Sequence, residues 1–219
     1  MEKVAKITAE YLLQIKAIKL QPTNPFTWAS GWKSPIYCDN RKTLSYPDVR
    51  TFIKNQLTSL ILHKYSDVEV IAGVATGAIA QGALVAQEIG APFVYVRSSS
   101  KGHGLENQVE GRVKAGQKTV VIEDLISTGN SSLKAVEALR DAGCKVLGMV
   151  AIFSYCFPIA EKNFNEAGCE LTTLSNYNEL IDLAIETGYI TREHLETLKK
   201  WREDPGAWPT TTGVLDGTL

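Results

Sequence analysis

Residues 119–132 constrain this chain more tightly than any other stretch. Thr119-Val120-Val121-Ile122 is a run of residues that favour extended backbone. Two adjacent carboxylates follow, Glu123 and Asp124, then Leu125 and Ile126. The polar string Ser127-Thr128-Gly129-Asn130-Ser131-Ser132 comes next. Leu133, Val136, Leu139 and Arg140 then fall at helical spacing. The stretch therefore reads as strand, tight turn, helix. At such a turn the first backbone N–H groups of the helix lack intrahelical partners and lie at the positive end of the helix dipole, which suits an anion such as phosphate. The hydroxyls of Ser127, Thr128, Ser131 and Ser132 add neutral donors. Gly129 is expected to let the backbone approach a ligand with no Cβ in the way.

The acids are the unusual part, because a carboxylate repels a phosphate. Glu123 and Asp124 stand at the carboxyl end of their strand, where open α/β sheets bind ligands. There they can accept hydrogen bonds from sugar hydroxyls or face a positive charge developing on a sugar. The bland alternative is an ordinary βα turn, with Asn130 or Ser131 capping the helix. A nucleotide-binding P-loop is excluded: the turn holds no lysine and no G-x-x-x-x-G-K-[ST] spacing.

At 219 residues the chain suits one large domain, or a domain with an appended subdomain, and can bury a sizeable core. A net charge of −1 offers no bulk attraction to nucleic acid or membrane, so a phosphate ligand must be held by local charge. The cysteines, Cys38, Cys144, Cys156 and Cys169, form no C-x-x-C pair, so no zinc site is expected. Cys144, Cys156 and Cys169 lie in or beside apolar runs and are expected to be buried thiols, which fits a reducing cytoplasm. Neither a signal peptide nor a membrane-spanning run is expected.

Along the chain, apolar spacing predicts a helix over 2–18. The segment 20–45 is broken by prolines and crowded with Phe26, Trp28, Trp32 and Tyr37; a short strand is expected within 34–39. Helices follow over 47–64, 79–89, 130–142, 158–166, 176–186 and 191–202. Strands are expected at 69–74, 92–97, 118–125, 144–153 and near 170–174. This alternation predicts an α/β fold with a mostly parallel sheet, whose sites lie on the loops after strands. The expected organisation is an N-terminal helix and hood over 1–45, an α/β core over 46–203 and a frayed tail over 204–219.

Three loops carry polar or small residues: 74–78, 98–112 and 125–131. The second holds Arg97, Lys101 and His103 within seven residues and cannot pack by itself, as expected of a mobile lid. Closed over a diphosphate, Arg97 and Lys101 can offset its charge, and His103 can donate a proton or hydrogen bonds. A solvated surface loop is the bland alternative.

The string Val120–Ser132 resembles the 5-phosphoribosyl-1-pyrophosphate (PRPP) signature of the type I phosphoribosyltransferases, with Glu123 where that signature often has Asp. Arg97, Lys101, His103 and Gly104 fall in register with the catalytic loop of the orotate-using members, although Ser98 replaces one lysine. Ser30-Gly31-Trp32-Lys33-Ser34-Pro35-Ile36-Tyr37-Cys38-Asp39-Asn40-Arg41 resembles their hood over the base. Ala29 and Ser154-Tyr155 depart from some members, and a bacterial subgroup looks like this throughout. The resemblance implies the type I phosphoribosyltransferase fold with a flexible catalytic loop. It also implies transfer of phosphoribose from PRPP to orotate in pyrimidine synthesis, Mg²⁺ carried by PRPP, and a homodimer that shares the catalytic loop. On the same basis Arg97, Lys101, His103, Glu123, Asp124 and residues Leu125, Ile126, Ser127, Thr128, Gly129, Asn130 and Ser131 bind PRPP. Lys101, His103, Arg97 and Asp124 serve catalysis. Ser127, Tyr37 and Lys33 (or Arg41, for the carboxylate) meet orotate. A transferase for another base, or a PRPP-sensing regulator, are the alternatives.

Overall fold

The computed structural model describes residues 2–28, 31, 33–97, 108–206 and 208. In chain order, α1 (Glu2–Gln14) leads into β1 (Ile18–Leu20), β2 (Phe26–Thr27), β3 (Lys33–Ser34) and β4 (Ile36–Cys38). A 3-10 turn (Asn40–Ser45) then precedes α2 (Pro47–Lys64). The core continues through β5 (Val70–Val74), α3 (Ile79–Ile89), β6 (Phe93–Val96), β7 (Val109–Glu110), β8 (Lys118–Ile126) and α4 (Asn130–Asp141). It ends with β9 (Lys145–Ser154), α5 (Pro158–Glu166), β10 (Leu171–Asn176), α6 (Tyr177–Glu186), a 3-10 turn (Arg192–His194) and α7 (Leu195–Glu203).

The central sheet has the order β10-β9-β8-β5-β6-β7, parallel except for the β6–β7 pair. β5 is buried along its whole length and β9 from Gly148 onward, as expected of strands covered on both faces. The topology has one decisive consequence. From β5 the chain crosses to β6 on one side; from β8 it proceeds to β9 and β10 on the other. The switch point therefore falls between β5 and β8, where doubly wound sheets open a ligand crevice. Register sharpens this: the β5–β8 ladder ends at the pair Gly73–Ile122, while β8 stays paired with β9 as far as Ile126. Beyond Ile122, β8 has an open flank.

Several boundaries follow from local chemistry. Pro47 and Pro158 stand in the first turns of α2 and α5, where the missing N–H costs nothing. Gly90, left-handed at φ 76°, ends α3. Asn176 caps α6, its side-chain oxygen accepting from the N–H groups of Asn178 and Glu179, so this helix starts one residue later than expected. The first helix stops at Gln14 rather than 18. Lys16 takes φ 55°, and Ile18 enters β1, which pairs antiparallel with β4. The strand expected near 170–174 runs on to Asn176, and the last expected helix splits into the 3-10 turn and α7. Cys144 and Cys169 are buried, but Cys156 is only half-buried.

Two short ribbons, β1–β4 and β2–β3, stand apart from the main sheet. Side chains attach them to the rest. Trp28 and Trp201 pack edge-to-face with centroids 5.7 Å apart, and Tyr155 lies 5.3 Å from Trp28 and 5.8 Å from Trp201. Trp201 Nε1 donates to the Lys33 carbonyl at 3.2 Å, and Trp28 Nε1 to the Ile36 carbonyl at 3.1 Å. The last helix is thus bound to the ribbons by a fully buried indole. Among the described residues, no helix is long and apolar enough to cross a membrane.

Candidate active site

A cleft of about 440 Å³ opens at the switch point. The loop after β5 (Ala75, Thr76, Gly77), the end of β6 (Val96, Arg97), the end of β8 (Glu123, Asp124, Leu125), the face of α4 (Ser131, Ala135), Cys38 at the end of β4, and Asp39 and Arg41 in the turn that follows all line it. Parts that the sequence separates by tens of residues therefore line one cleft.

Glu123 and Asp124 are adjacent, and the strand turns successive side chains to opposite faces. Glu123 is 5% exposed. One of its oxygens accepts from the Asp124 N–H at 2.9 Å, the other from the Ser132 hydroxyl at 2.8 Å. Burial, and then the neighbouring Asp124 charge, push its carboxyl well above the usual carboxylate range. Ser132 consequently faces Glu123 and does not join the turn's donors toward a ligand. Asp124 lies over the loop after β5. A Cβ on Gly77 would fall inside van der Waals distance of the Asp124 carboxyl group, so only glycine leaves room for that carboxylate.

Gly129 opens α4 with φ 80°. The expected reason for a glycine there is corrected: its bare side faces Phe164, whose ring a Cβ would approach to 2.7 Å, and not the ligand side. The turn is fixed from behind. The carbonyls of Ile126, Thr128 and Gly129 accept from Tyr155 N, Asn163 Nδ2 and Leu133 N, and Asn163 Nδ2 also reaches Asn130 Oδ1 at 2.9 Å. The carbonyls are engaged on the protein side, which leaves the N–H groups of the helix start for an anion.

Arg97 lines the cleft. Its guanidinium lies 3.0 Å from Glu110, and its N–H donates to the Gln108 carbonyl, so the two ends of the 98–107 segment are held side by side. Lys101 and His103 lie outside the described residues, as do Ala29, Ser30 and Trp32.

On the hood side, alternation along β4 separates neighbours. Cys38 faces the cleft and Tyr37 does not line it; Tyr37 is exposed and packs against Phe26 with centroids 5.7 Å apart. The Lys33 ammonium donates to Thr27 Oγ1 at 2.7 Å and is not part of the cleft wall. Arg41 is, with its Nε 2.7 Å from Asp39 and its side chain 62% exposed. The Arg41 guanidinium holds the Asp39 carboxyl below its ordinary value. Burial, then the Asp124 and Asp39 charges, push the Cys38 thiol well up. Of the expected turn residues, Leu125 and Ser131 line the cleft, Ile126 is fully buried, and Thr128 borders a neighbouring cavity with Phe157 and Pro158. Ser127, Gly129 and Asn130 form the turn without lining the cleft. The fit of Gly77 to Asp124, and the hydrogen bond from Asn40 Nδ2 to the Asp124 carbonyl at 2.6 Å, have no signal in the sequence, since nothing in spacing marks a contact across so many residues.

The phosphoribosyl transferase domain model matches residues 44–176. An orotate phosphoribosyltransferase of Bacteroides fragilis is 60% identical over 210 residues, covering 96% of this chain and 99% of that protein. One from Porphyromonas gingivalis is 62% identical, covering 95% and 99%. The crystal structure of orotate phosphoribosyltransferase from Aeropyrum pernix superposes with a TM-score of 0.72 at 27% identity, covering 84% of this chain and 99% of that one.

Proposed function

The chain belongs to the phosphoribosyl transferase family and, within it, to the orotate phosphoribosyltransferases; from that premise we propose that it converts orotate and PRPP to orotidine 5′-monophosphate and pyrophosphate in pyrimidine nucleotide synthesis. The observation that carries this is the cleft itself. It joins an acid seated over a glycine loop, the start of α4 at Ser131, and the cations Arg97 after β6 and Arg41 of the hood at one switch point.

In the proposed step the C1′–O bond to pyrophosphate breaks, and its electron pair leaves with the pyrophosphate. A ring nitrogen of orotate forms the new bond to C1′, and its N–H proton goes to the departing pyrophosphate. Residues 125–131 hold the 5′-phosphate. Asp124 accepts from ribose hydroxyls and stabilises the positive charge that grows on the ring. Glu123 stands behind it, fixing the Asp124 N–H and Ser132. Arg97, with Lys101 and His103, takes the charge of the departing pyrophosphate. The assignment of Tyr37 and Ser127 to the base rests on the family resemblance, since neither lines the cleft. Between the two hood cations, the orotate carboxylate is assigned to Arg41, because Arg41 lines the cleft and Lys33 holds its own ribbon through Thr27.

Among the described residues no three His, Cys, Asp or Glu side chains converge to hold a metal. One or two hard oxygen donors such as Asp124 suit a cation that keeps its waters and arrives with substrate phosphates, which is how Mg²⁺ commonly binds. Bound to PRPP, Mg²⁺ would offset diphosphate charge. We assign the hood role to residues 18–41 of the N-terminal segment, since α1 packs against β10 and α6. The homodimer with a shared loop is likewise proposed. Mixing Lys101→Ala with Asp124→Asn subunits should restore some activity, and verified mixed dimers without recovery would remove the sharing.

The primary test is orotate absorbance in the presence of protein, PRPP and Mg²⁺. A fall requiring all three, with pyrophosphate released, is expected. Turnover of uracil or a purine instead would overturn the assignment of the base.

A further inference from the structure

We infer that Asn40 is a positioning residue of the transfer reaction, holding the peptide of Asp124 from the hood side of the cleft. The inference rests on the reaction proposed above. It begins with what β8 lacks. The β5–β8 ladder stops at Gly73–Ile122, and the β8–β9 ladder pairs Glu123 with Ala151 and Leu125 with Phe153, passing over Asp124. Asp124 thus stands outside both ladders. An unpaired backbone group in such a place is costly, so each must find a partner elsewhere.

Both partners are side chains. The Asp124 N–H donates to Glu123 Oε1 at 2.9 Å, and the Asp124 carbonyl accepts from Asn40 Nδ2 at 2.6 Å. Asn40 occupies the place of the missing strand. It is 1% exposed, its other amide atom accepts from the Cys38 thiol at 3.2 Å, and its own carbonyl accepts from the buried Thr43 hydroxyl at 2.6 Å. The orientation of the amide is fixed by chemistry. A carbonyl can only accept, so the amino end must face Asp124, which leaves the oxygen for the thiol. The raised thiol keeps that S–H protonated and donating.

Asn40 therefore links two cleft residues from opposite walls, Cys38 on the hood ribbon and Asp124 on the sheet. A shift of the hood when a base enters is passed to the acid that faces the ribose. Side-chain amides that hold a reacting group's backbone act by fixing its geometry, and misplacement by about 1 Å can cost about 10²-fold in rate.

The test is a double-mutant cycle read as kcat and KM separately. Asn40→Ala should lower kcat by about 10- to 100-fold with the KM for PRPP little changed. In an Asp124→Asn background, where the carboxylate is already gone, the same substitution should lower kcat by less than about 3-fold, because the two residues act as one unit. Asn40→Asp, similar in size but presenting an oxygen to the Asp124 carbonyl, should be as slow as Asn40→Ala. Should Asn40→Ala not fold, Asn40→Asp and Asn40→Ser give the same cycle. Losses that multiply in the two backgrounds, or a folded Asn40→Ala chain with normal kcat, would overturn the inference. Failure of the proposed reaction shows independently, as absence of orotate turnover by the unsubstituted chain.

Discussion

The two walls of the cleft are built by different means. The sheet wall is backbone: parallel ladders, a helix start and a glycine loop, with residues such as Ile122 and Val121 fully buried behind them. The hood wall is a pair of two- and three-residue ribbons held down by the side chains of Trp28, Trp201 and Tyr155. The first kind of construction fixes atoms, because every displacement breaks several hydrogen bonds. The second permits movement, because side-chain contacts can slide. On the proposed assignment, a transferase that must admit a base, yet hold a ribosyl cation in register, benefits from the first under the sugar and the second over the base.

That contrast can be broken from the hood side first. Trp201→Ala should cost about 3–5 kcal/mol of stability, the usual range for a fully buried large aromatic, and raise the KM for orotate more than that for PRPP. Thermal melts and the two KM values check it; an equal rise in both would show that the walls are not separable. The sheet wall answers to Gly77→Ala. The added Cβ displaces the Asp124 carboxylate, so kcat should fall about 10²-fold with the melting temperature nearly unchanged. A normal kcat would show that Asp124 tolerates displacement. Arg41→Gln should raise the KM for orotate about 10-fold or more, in line with about 1.4 kcal/mol for a charge-assisted pair, and leave PRPP binding alone. Unchanged selectivity against uracil would return the carboxylate to another group.

The smallest effect concerns pH. Because the folded state raises the Glu123 carboxyl, folding favours its protonated form. That contribution is whole below the ordinary glutamate value of about 4.3 and is lost as pH rises through the folded value. Glu123→Gln stays neutral at every pH. Denaturation midpoints of the two chains, followed upward from about pH 5, should therefore fall less for Glu123→Gln than for the parent. Parallel denaturation curves across that range would mean that Glu123 is ionised in place.

What the sequence disclosed follows the same division. Helices 47–64, 79–89 and 158–166 were legible to the residue, because prolines and a left-handed glycine mark ends locally. The strand–acid–turn motif was legible because its parts are contiguous. Of the ribbons only β4 was, as the short strand expected within 34–39; β1 and β2, of three and two residues, carry no periodicity. Ile18 continued the apolar spacing of the first helix, and only its pairing with Cys38 places it in a strand. Which of Tyr37 and Cys38 faces the cleft depends on strand parity, invisible until register is known, and Arg41 reaches it from the 3-10 turn beyond. The seat of Asp124 over Gly77 and the bond from Asn40 join residues far apart in the chain, where local pattern has nothing to say.

The indole of Trp201 has a consequence for how the molecule is made. Trp28 and the Lys33 carbonyl leave the ribosome early, but the side chain that fastens them emerges 168 residues after Lys33. At about 5–20 residues per second that is a wait of roughly 8–34 s. Only in the last part of that interval, after Asn163 has emerged to fix the turn, can the anion turn and acid pair be in place while the base cover is still unfastened. On the proposed assignment, a growing chain would therefore hold the sugar-phosphate half of its site before the half that selects the base, and selectivity would be the last property it acquires.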